Sequence, residues 1–439
     1  SGILGVLRNR KFEGSYGSGG DFMQQRKLIY DCLKAVMVEK QYANLTLRHA
    51  LKQLPSERRG YVTQVVYGTL ENYRFVRWCW ECFVERLPKK RVCVLLDMAV
   101  YELLWLEEAP YALINESVDF AKRYLSGNAK LVNAVLRKVA AQGKRALPDN
   151  RDEALGIETS HPLWLIKMWN AQYGADVCEK ICRASLHAHK GFGRVNTLKI
   201  SRSKLLAQEP LFREGTLGED SFVMAQGNIS DTKWYRDGYV AIQDEASQLI
   251  APFLAPQPKE RILDACSAPG TKACHMAQLM KNQGEIISVD VHEHRVKLIE
   301  EGAARLGITC IKAMLGDACE LSQFEDESFD RILCDVPCSG YGTFSHKSDI
   351  KVHMESSDMD SLIPIQAAIL RRAAQLVKRG GVIVYSTCTL NKKENEKQVA
   401  AFLKAHSEFM LVEERTIFPY EYGCDGFYMA KLEKMKENL

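Results

Sequence analysis

From about residue 245 the chain alternates short apolar runs with helical segments, and few folds accept that rhythm. The runs RILDA (261–265), EIISVD (285–290), TCIKAM (309–314), DRILCD (330–335) and GVIVYS (381–386) have the length of strands. Between most of them lie helical patterns such as TKACHMAQLM (271–280) and VKLIEEGAARLG (296–307). This alternation predicts an α/β domain with a doubly wound, mostly parallel sheet. Such sheets bind ligands beyond the carboxyl ends of their strands, so the residues after each strand are the candidates for chemistry.

The rest of the chain follows different patterns. In residues 23–145, Leu28, Ile29, Cys32, Leu33, Val36 and Met37 recur at helical spacing. RVCVLLDMAVYELLWL (91–106) and ALINESVDFAKRYL (112–125) repeat that spacing with no strand-like alternation between them, which predicts an all-α domain. A polar stretch near 140–160, with Gly, Pro, Asn and Asp, reads as a linker. Residues 160–237 read as a small α/β unit: a helical segment (161–174), then RVNTLKI (194–200) and short strands. The doubly wound domain is placed over 238–439. Residues 1–22 are Gly/Ser-rich and stop just before Met23, so they are read as an expression scar outside the fold.

Charge separates the same regions. Residues 23–150 hold 21 Lys/Arg against 13 Asp/Glu, a net +8, and residues 1–22 hold 3 against 2. The remainder is therefore 35 against 40, a net −5 within a total of +4. A basic N-terminal third on an acidic body suits a nucleic-acid partner, although solvated helix faces give the same count. No stretch reaches the ~20 apolar residues of a membrane span, and no hydrophobic signal segment opens the chain. With 14 cysteines and no secretion signal, free thiols in a cytoplasmic protein are expected. Cys79 and Cys82 lack the second pair or histidines that a zinc site needs, so no metal is expected.

The strand ends carry the distinctive residues. After the first strand comes DACSAPGTK (264–272), whose glycine turn lets backbone approach a ligand where a helix begins. The second strand ends at Asp290, where an acidic residue typically bonds the ribose hydroxyls of an adenosine. The third leads to Gly316-Asp317, in place to reach the adenine. A nicotinamide dinucleotide needs more glycines, because its pyrophosphate sits on G-x-G-x-x-G. A single glycine favours S-adenosyl-L-methionine (SAM), which has no phosphate to cradle; an incidental turn is the competing reading.

Strand four ends in Asp335-Val-Pro337-Cys338-Ser-Gly340 and strand five in Ser386-Thr387-Cys388-Thr389. One cysteine at such a place is more often a small buried hydrophobe. Two, each in a polar turn, suit cytosine chemistry. Carbon 5 of cytosine is a poor nucleophile until a thiolate adds to carbon 6 and makes it enamine-like. A second thiol can help resolve the adduct, and a carboxyl group such as Asp335 can stabilise the ring as N3 gains proton character. An amino-group methyltransferase would need neither thiol.

DACSAPGTK, DVPCSG and STCTLNKKEN together resemble the RNA cytosine-C5 methyltransferases, the Sun/Fmu/NOL family. GYVAIQDEASQLIAP (238–252) and RVNTLKISRSKLL (194–206) look like the same family's approach to its catalytic domain. NESVDFAK (115–122) and LVNAVLRKV (131–139) resemble the NusB-like domain of the member that acts on the small ribosomal subunit, so the resemblance covers nearly all of 23–435. It implies a Rossmann-like SAM-dependent methyltransferase domain over 238–439, with S-adenosyl-L-homocysteine as the product. Cys388 would be the nucleophile and Cys338 would assist product release. Cys266, Ser267, Ala268, Pro269, Gly270, Thr271, Lys272, Asp290, Asp317 and Asp335 would hold SAM, with Lys272 and Asp335 also reaching the cytosine. The implied substrate is 16S rRNA at cytosine 967, before subunit assembly, and the implied enzyme is a cytoplasmic monomer. Thr271 and Ala273 depart from the family's Gly and Thr, as do Ser345, Ser348 and Val352 in the loop FSHKSDIKV (344–352), which is read as an RNA-docking element.

RNA contacts beyond the active site are expected from Arg194, Asn196, Lys199 and Arg202 in the middle unit. Arg58, Arg59, Arg137 and Lys138 are candidates in the NusB-like, RNA-binding domain. As a set they suit phosphate contacts that position RNA without reading its sequence. The target base must also leave its stack to reach a buried thiol. Two other readings stay open: the same chemistry on tRNA or another RNA, and a non-catalytic RNA-binding assembly factor.

Overall fold

The structure, a computed structural model, describes residues 19–187 and 190–436. The chain divides into two compact units. One takes the described residues through His187 together with Phe344–Glu355; the other takes the described residues of 188–343 and 356–439.

The first unit is helical. Helices Gly19–Met37, Ala43–Leu51, Ser56–Glu71, Tyr73–Glu81, Lys90–Trp105, Pro110–Tyr124 and Ala129–Gln142 surround one apolar core. Lys90–Trp105 is its central helix: every residue from Val92 to Leu103 is buried. A helix buried on all sides is stable only inside a bundle. Cys79 lies in this core beside Trp80, which donates to the buried Asp97 carboxylate at 2.7 Å, while Cys82 is exposed. The first helix starts four residues ahead of Met23, within the stretch read as a scar; residues 1–18 of that stretch lie outside the described residues.

The two units cut through the expected middle unit. Its helices, Leu163–Tyr173 and Ala175–Ala184, belong to the helical unit, and its strands belong to the other. Those strands are β1 (Gly191–Val195), β2 (Phe212–Glu214) and β3 (Ser221–Met224), joined by β4 (Val240–Ile242) in an antiparallel sheet of order β2-β3-β1-β4.

The second sheet is formed by β5 (Arg261–Asp264), β6 (Glu285–Asp290), β7 (Ile311–Leu315), β8 (Phe329–Asp335), β9 (Val377–Thr387), β10 (Phe409–Ile417) and β11 (Phe427–Lys434). Its order is β10-β11-β9-β8-β5-β6-β7, parallel from β9 through β7, with β11 antiparallel to both neighbours. Strands covered on both faces carry apolar runs, as Ile262–Leu263 of β5 and Ile332–Cys334 of β8 do. The helix Glu293–Leu306 buries Val296, Ile299, Ala303 and Leu306 and stops at Gly307, whose φ is 75°. The chain order reverses between β5 and β8, and in such sheets ligands bind at that switch point, beyond the carboxyl ends of the strands.

Candidate active site

The turn after β5 is built around Gly270, at φ 91°, which caps the helix Thr271–Leu279. A Cβ there would sit 3.1 Å from Ile299 Cγ2 and 3.2 Å from its Cα, so both the conformation and the space call for glycine. Ser267 N–H donates to Val289 O at 2.8 Å, tying this turn to β6. Thr271 follows the capping glycine as the first helical residue, and the Ala268–Pro269 peptide is cis. Cys266 is half-buried, and burial pushes its thiol well above the ordinary range.

Asp264, at the end of β5, stands within the quoted motif but drew no role from the sequence. It is buried, and neither its oxygens nor the Ser267 hydroxyl meets a partner at hydrogen-bonding geometry. Burial pushes Asp264 up to about 7, against a smaller opposing pull from Ser267. A buried carboxyl group without a strong donor marks a site that awaits one. The acids at the next two strand ends are held by local backbone. Asp290 accepts from His292 N at 2.9 Å and is buried; Asp317 accepts from Cys319 N at 2.8 Å and is exposed.

At the end of β8, Asp335 accepts from Lys272 Nζ at 2.7 Å and from Ser386 Oγ at 2.8 Å. Burial works against the Lys272 ammonium, but the Asp335 carboxylate outweighs it and holds the pKa above its ordinary value. Lys272 Nζ also lies 5.2 Å from the centroid of the Phe427 ring. Beyond Asp335, Cys338 and Cys388 face each other with sulfurs 3.4 Å apart. Gly342 N–H donates to Cys388 O at 3.0 Å, and Gly426 N–H donates to Gly342 O at 2.8 Å. A Cβ on Gly342 would meet Gly426 O at 2.1 Å and Cys388 O at 2.8 Å, so the Cys388 loop is seated against backbone. Cys338 is pushed well above the ordinary thiol range by its hydrogen bond with Cys388, by burial, and by the nearby Cys388 and Glu394 charges. Two thiols in contact, one of them held protonated, are an arrangement that can serve nucleophilic addition.

Two expected RNA contacts are corrected. Arg194 and Asn196 are fully buried. Arg194 donates to Gln278 Oε1 at 3.0 Å, to Thr271 O at 3.1 Å and to Gln243, and burial lowers its pKa to about 10. Asn196 donates to Gly238 O at 2.8 Å and Leu306 O at 2.9 Å. Both tie the antiparallel sheet to the helices Thr271–Leu279 and Glu293–Leu306, and both are closed to phosphate. Arg202 is half-buried and pairs with Glu214 at 2.5 Å, while Lys199 is exposed and donates to Asp237 O. In the helical unit Arg59, Arg137 and Lys138 are exposed and Arg58 is half-buried. The loop expected to dock RNA is instead part of the helical unit. Its Lys351 is buried, donating to Thr159 O at 3.1 Å and Ser185 Oγ at 3.0 Å, and Ser348 is buried with it.

A family model described as 16S rRNA methyltransferase RsmB/F matches residues 251–433. The NusB family model matches 23–141, and one for an RsmF/B-like ferredoxin-like domain matches 161–215. The probable ribosomal RNA small subunit methyltransferase B of Bacillus subtilis (strain 168) is 39% identical, over 93% of this chain and 98% of that one. The corresponding probable enzyme of Synechocystis sp. (strain ATCC 27184 / PCC 6803 / Kazusa) is 32% identical, over 93% and 99%. Among solved structures, that of PH0851 matches with a TM-score of 0.81 at 26% identity, over 93% of this chain and 98% of that chain. With a NusB-like helical domain, a Rossmann-like methyltransferase domain and this identity along almost the whole length of its relatives, the chain belongs to the RsmB/F family of 16S rRNA methyltransferases.

Proposed function

We propose that the chain transfers a methyl group from SAM to carbon 5 of a cytosine in 16S rRNA, at cytosine 967, with Cys388 as the nucleophile and S-adenosyl-L-homocysteine as the second product. The observation that carries this reading is the pair of thiols 3.4 Å apart at the ends of β8 and β9, beside the Lys272–Asp335 ion pair. Methyl transfer to an exocyclic amine has no use for such a pair.

The residues after β5 to β8 fit SAM. The buried Asp264 carboxyl, which meets no strong donor, and the neighbouring Ser267 hydroxyl suit its ammonium group, and Gly270 lets the turn from Cys266 to Lys272 pack closely on Ile299 at the strand end. Asp290 would hold the ribose, Asp317 the adenine, and Asp335 closes the site. When bound, SAM supplies the methyl group as an electrophilic carbon on a sulfonium.

The protein's part begins when the Cys388 thiolate bonds to carbon 6 and the carbon 5–carbon 6 π pair becomes available at carbon 5. Asp335, held between Lys272 and Ser386, stabilises the ring as N3 gains proton character. Once carbon 5 is methylated, its proton leaves to a base. The electron pair then restores the carbon 5–carbon 6 double bond, and the carbon–sulfur bond breaks to regenerate the Cys388 thiolate. A neutral Cys338 thiol stabilises that departing sulfur by hydrogen bonding.

The relatives' names support small-subunit rRNA as the substrate. The reading includes a cytoplasmic monomer that acts on RNA before the subunit assembles. The test is transfer from labelled SAM to deproteinised 16S rRNA, assembled small subunits and tRNA, with bisulfite sequencing of the products. Label at a cytosine of free 16S rRNA is expected. Label confined to tRNA would replace the substrate, and no transfer with no SAM binding would favour an assembly factor.

A further inference from the structure

The motif tail NKKEN (391–395) has no part in the chemistry above, yet its Glu394 bonds residues of both cysteine loops. Glu394 is fully buried and its carboxylate accepts four hydrogen bonds. One oxygen takes Ser339 N–H at 2.9 Å and Gln366 Nε2 at 3.0 Å. The other takes Ser339 Oγ at 2.5 Å and Asn391 Nδ2 at 2.8 Å. Ser339 follows Cys338, and Asn391 lies three residues beyond Cys388. One carboxylate therefore bridges the two cysteine loops.

The hydroxyls between those loops are ordered in direction. Tyr341 N–H donates to Thr389 Oγ1 at 3.2 Å, and Thr389 Oγ1 lies 2.7 Å from Ser339 Oγ. Since Ser339 Oγ gives its own proton to Glu394, Thr389 must donate to Ser339. The chain of donors ends on the carboxylate, which is the only acceptor in it without a proton to give. Gln366 secures the same loop again by donating to Pro337 O at 2.9 Å. Asn395 holds the other loop, accepting from Thr387 Oγ1 at 2.6 Å and donating to Thr389 O at 2.9 Å, on either side of Cys388.

We propose that Glu394 is a positioning residue that holds the loops of Cys338 and Cys388 in register and, by its charge, makes Cys338 the thiol and Cys388 the thiolate. The proposal rests on the covalent reading of Cys388. Opposite charges flank the pair: the Lys272 ammonium interacts with Cys388, and the Glu394 carboxylate with Cys338. Among the described residues, Tyr341 and Tyr385 also interact with Cys338, and burial pushes both hydroxyls up, so they stay neutral. Negative charge on one side and positive on the other favours the ionised sulfur on the Lys272 side.

The test is alkylation of the full chain by iodoacetamide from pH 6 to 9, with initial rates at each cysteine read by peptide mass spectrometry. Wild type is expected to react first at Cys388. Glu394→Gln removes the charge, so the preference for Cys388 is expected to fall about tenfold, one pKa unit being a factor of ten. SAM affinity by calorimetry stays unchanged. Glu394→Asp keeps the charge but not the reach, so it retains the preference while kcat falls. An unchanged preference in Glu394→Gln overturns the proposal whatever kcat does. If that variant does not fold, Ser339→Ala is measured instead. Cutting the hydroxyl chain should lower kcat at unchanged SAM affinity, and a wild-type kcat overturns the proposal. Full turnover by Cys388→Ala would instead remove the covalent reading, leaving the alkylation contrast to be judged by itself.

Discussion

Lys272 Nζ and Asp335 Oδ2 are joined at 2.7 Å, so the helix after β5 and the end of β8 share one ion pair at the mouth of the site. Removing either partner leaves the other charge half-desolvated and misplaces a group intended for the cytosine ring. Asp335→Asn is expected to lower kcat by at least ~100-fold, the lower range for a lost acid–base group. Steady-state transfer from labelled SAM measures it, and a kcat within a factor of two of wild type would take Asp335 out of the chemistry.

The two thiols are expected to fail differently. Cys388→Ala should bind SAM and RNA but transfer nothing. Cys338→Ala should form the carbon–sulfur bond and release it slowly, accumulating a protein–RNA adduct that survives denaturing gels. Accumulation in Cys388→Ala instead would exchange the two roles.

Asp264 gives a pH signature. Its folded pKa of about 7 lies above that of an unfolded aspartate, so the folded state holds the proton longer. That contribution to stability is complete below about pH 4 and lost as pH rises through about 7. A cationic ammonium favours the ionised form, so SAM binding must release this proton below neutrality. SAM affinity is expected to rise by up to about tenfold per pH unit between about pH 5.5 and 7. Asp264→Asn should flatten that profile in calorimetry; an unchanged slope would place the ammonium elsewhere.

Arg194→Ala should act on the fold. Three acceptors, Gln278, Gln243 and Thr271 O, would lose their donor inside the protein. A loss of about 1–3 kcal/mol is expected for each neutral acceptor left unsatisfied inside the protein. Thermal unfolding and RNA binding by the folded fraction separate the outcomes. A selective drop in RNA affinity at unchanged Tm would return Arg194 to phosphate.

Local pattern made the strand ends legible. Each of Asp264, Asp290, Asp335 and Cys388 follows a short apolar run, and parallel strands end their runs at one edge. Distance between strand ends is set by sheet order, so the 3.4 Å between Cys338 and Cys388 was not readable, nor was the bridge through Glu394. Arg194 and Asn196 were misread because arginine and asparagine are mostly exposed. Residues more than forty positions away, such as Gln243, Gln278 and Leu306, supply most of the partners that let them be buried.

The segment Phe344–Glu355 completes the helical unit although it is encoded after β8. Its Lys351 satisfies Thr159 O, His353 bonds Val36 O, and Phe344 packs its ring 5.0 Å from that of His161. The N-terminal half therefore leaves the ribosome without its last piece. It closes only once the chain has been made past Cys338, so maturation of the helical unit is tied to synthesis of the segment bearing the first thiol. No single cut in the chain yields the two units as separate whole products.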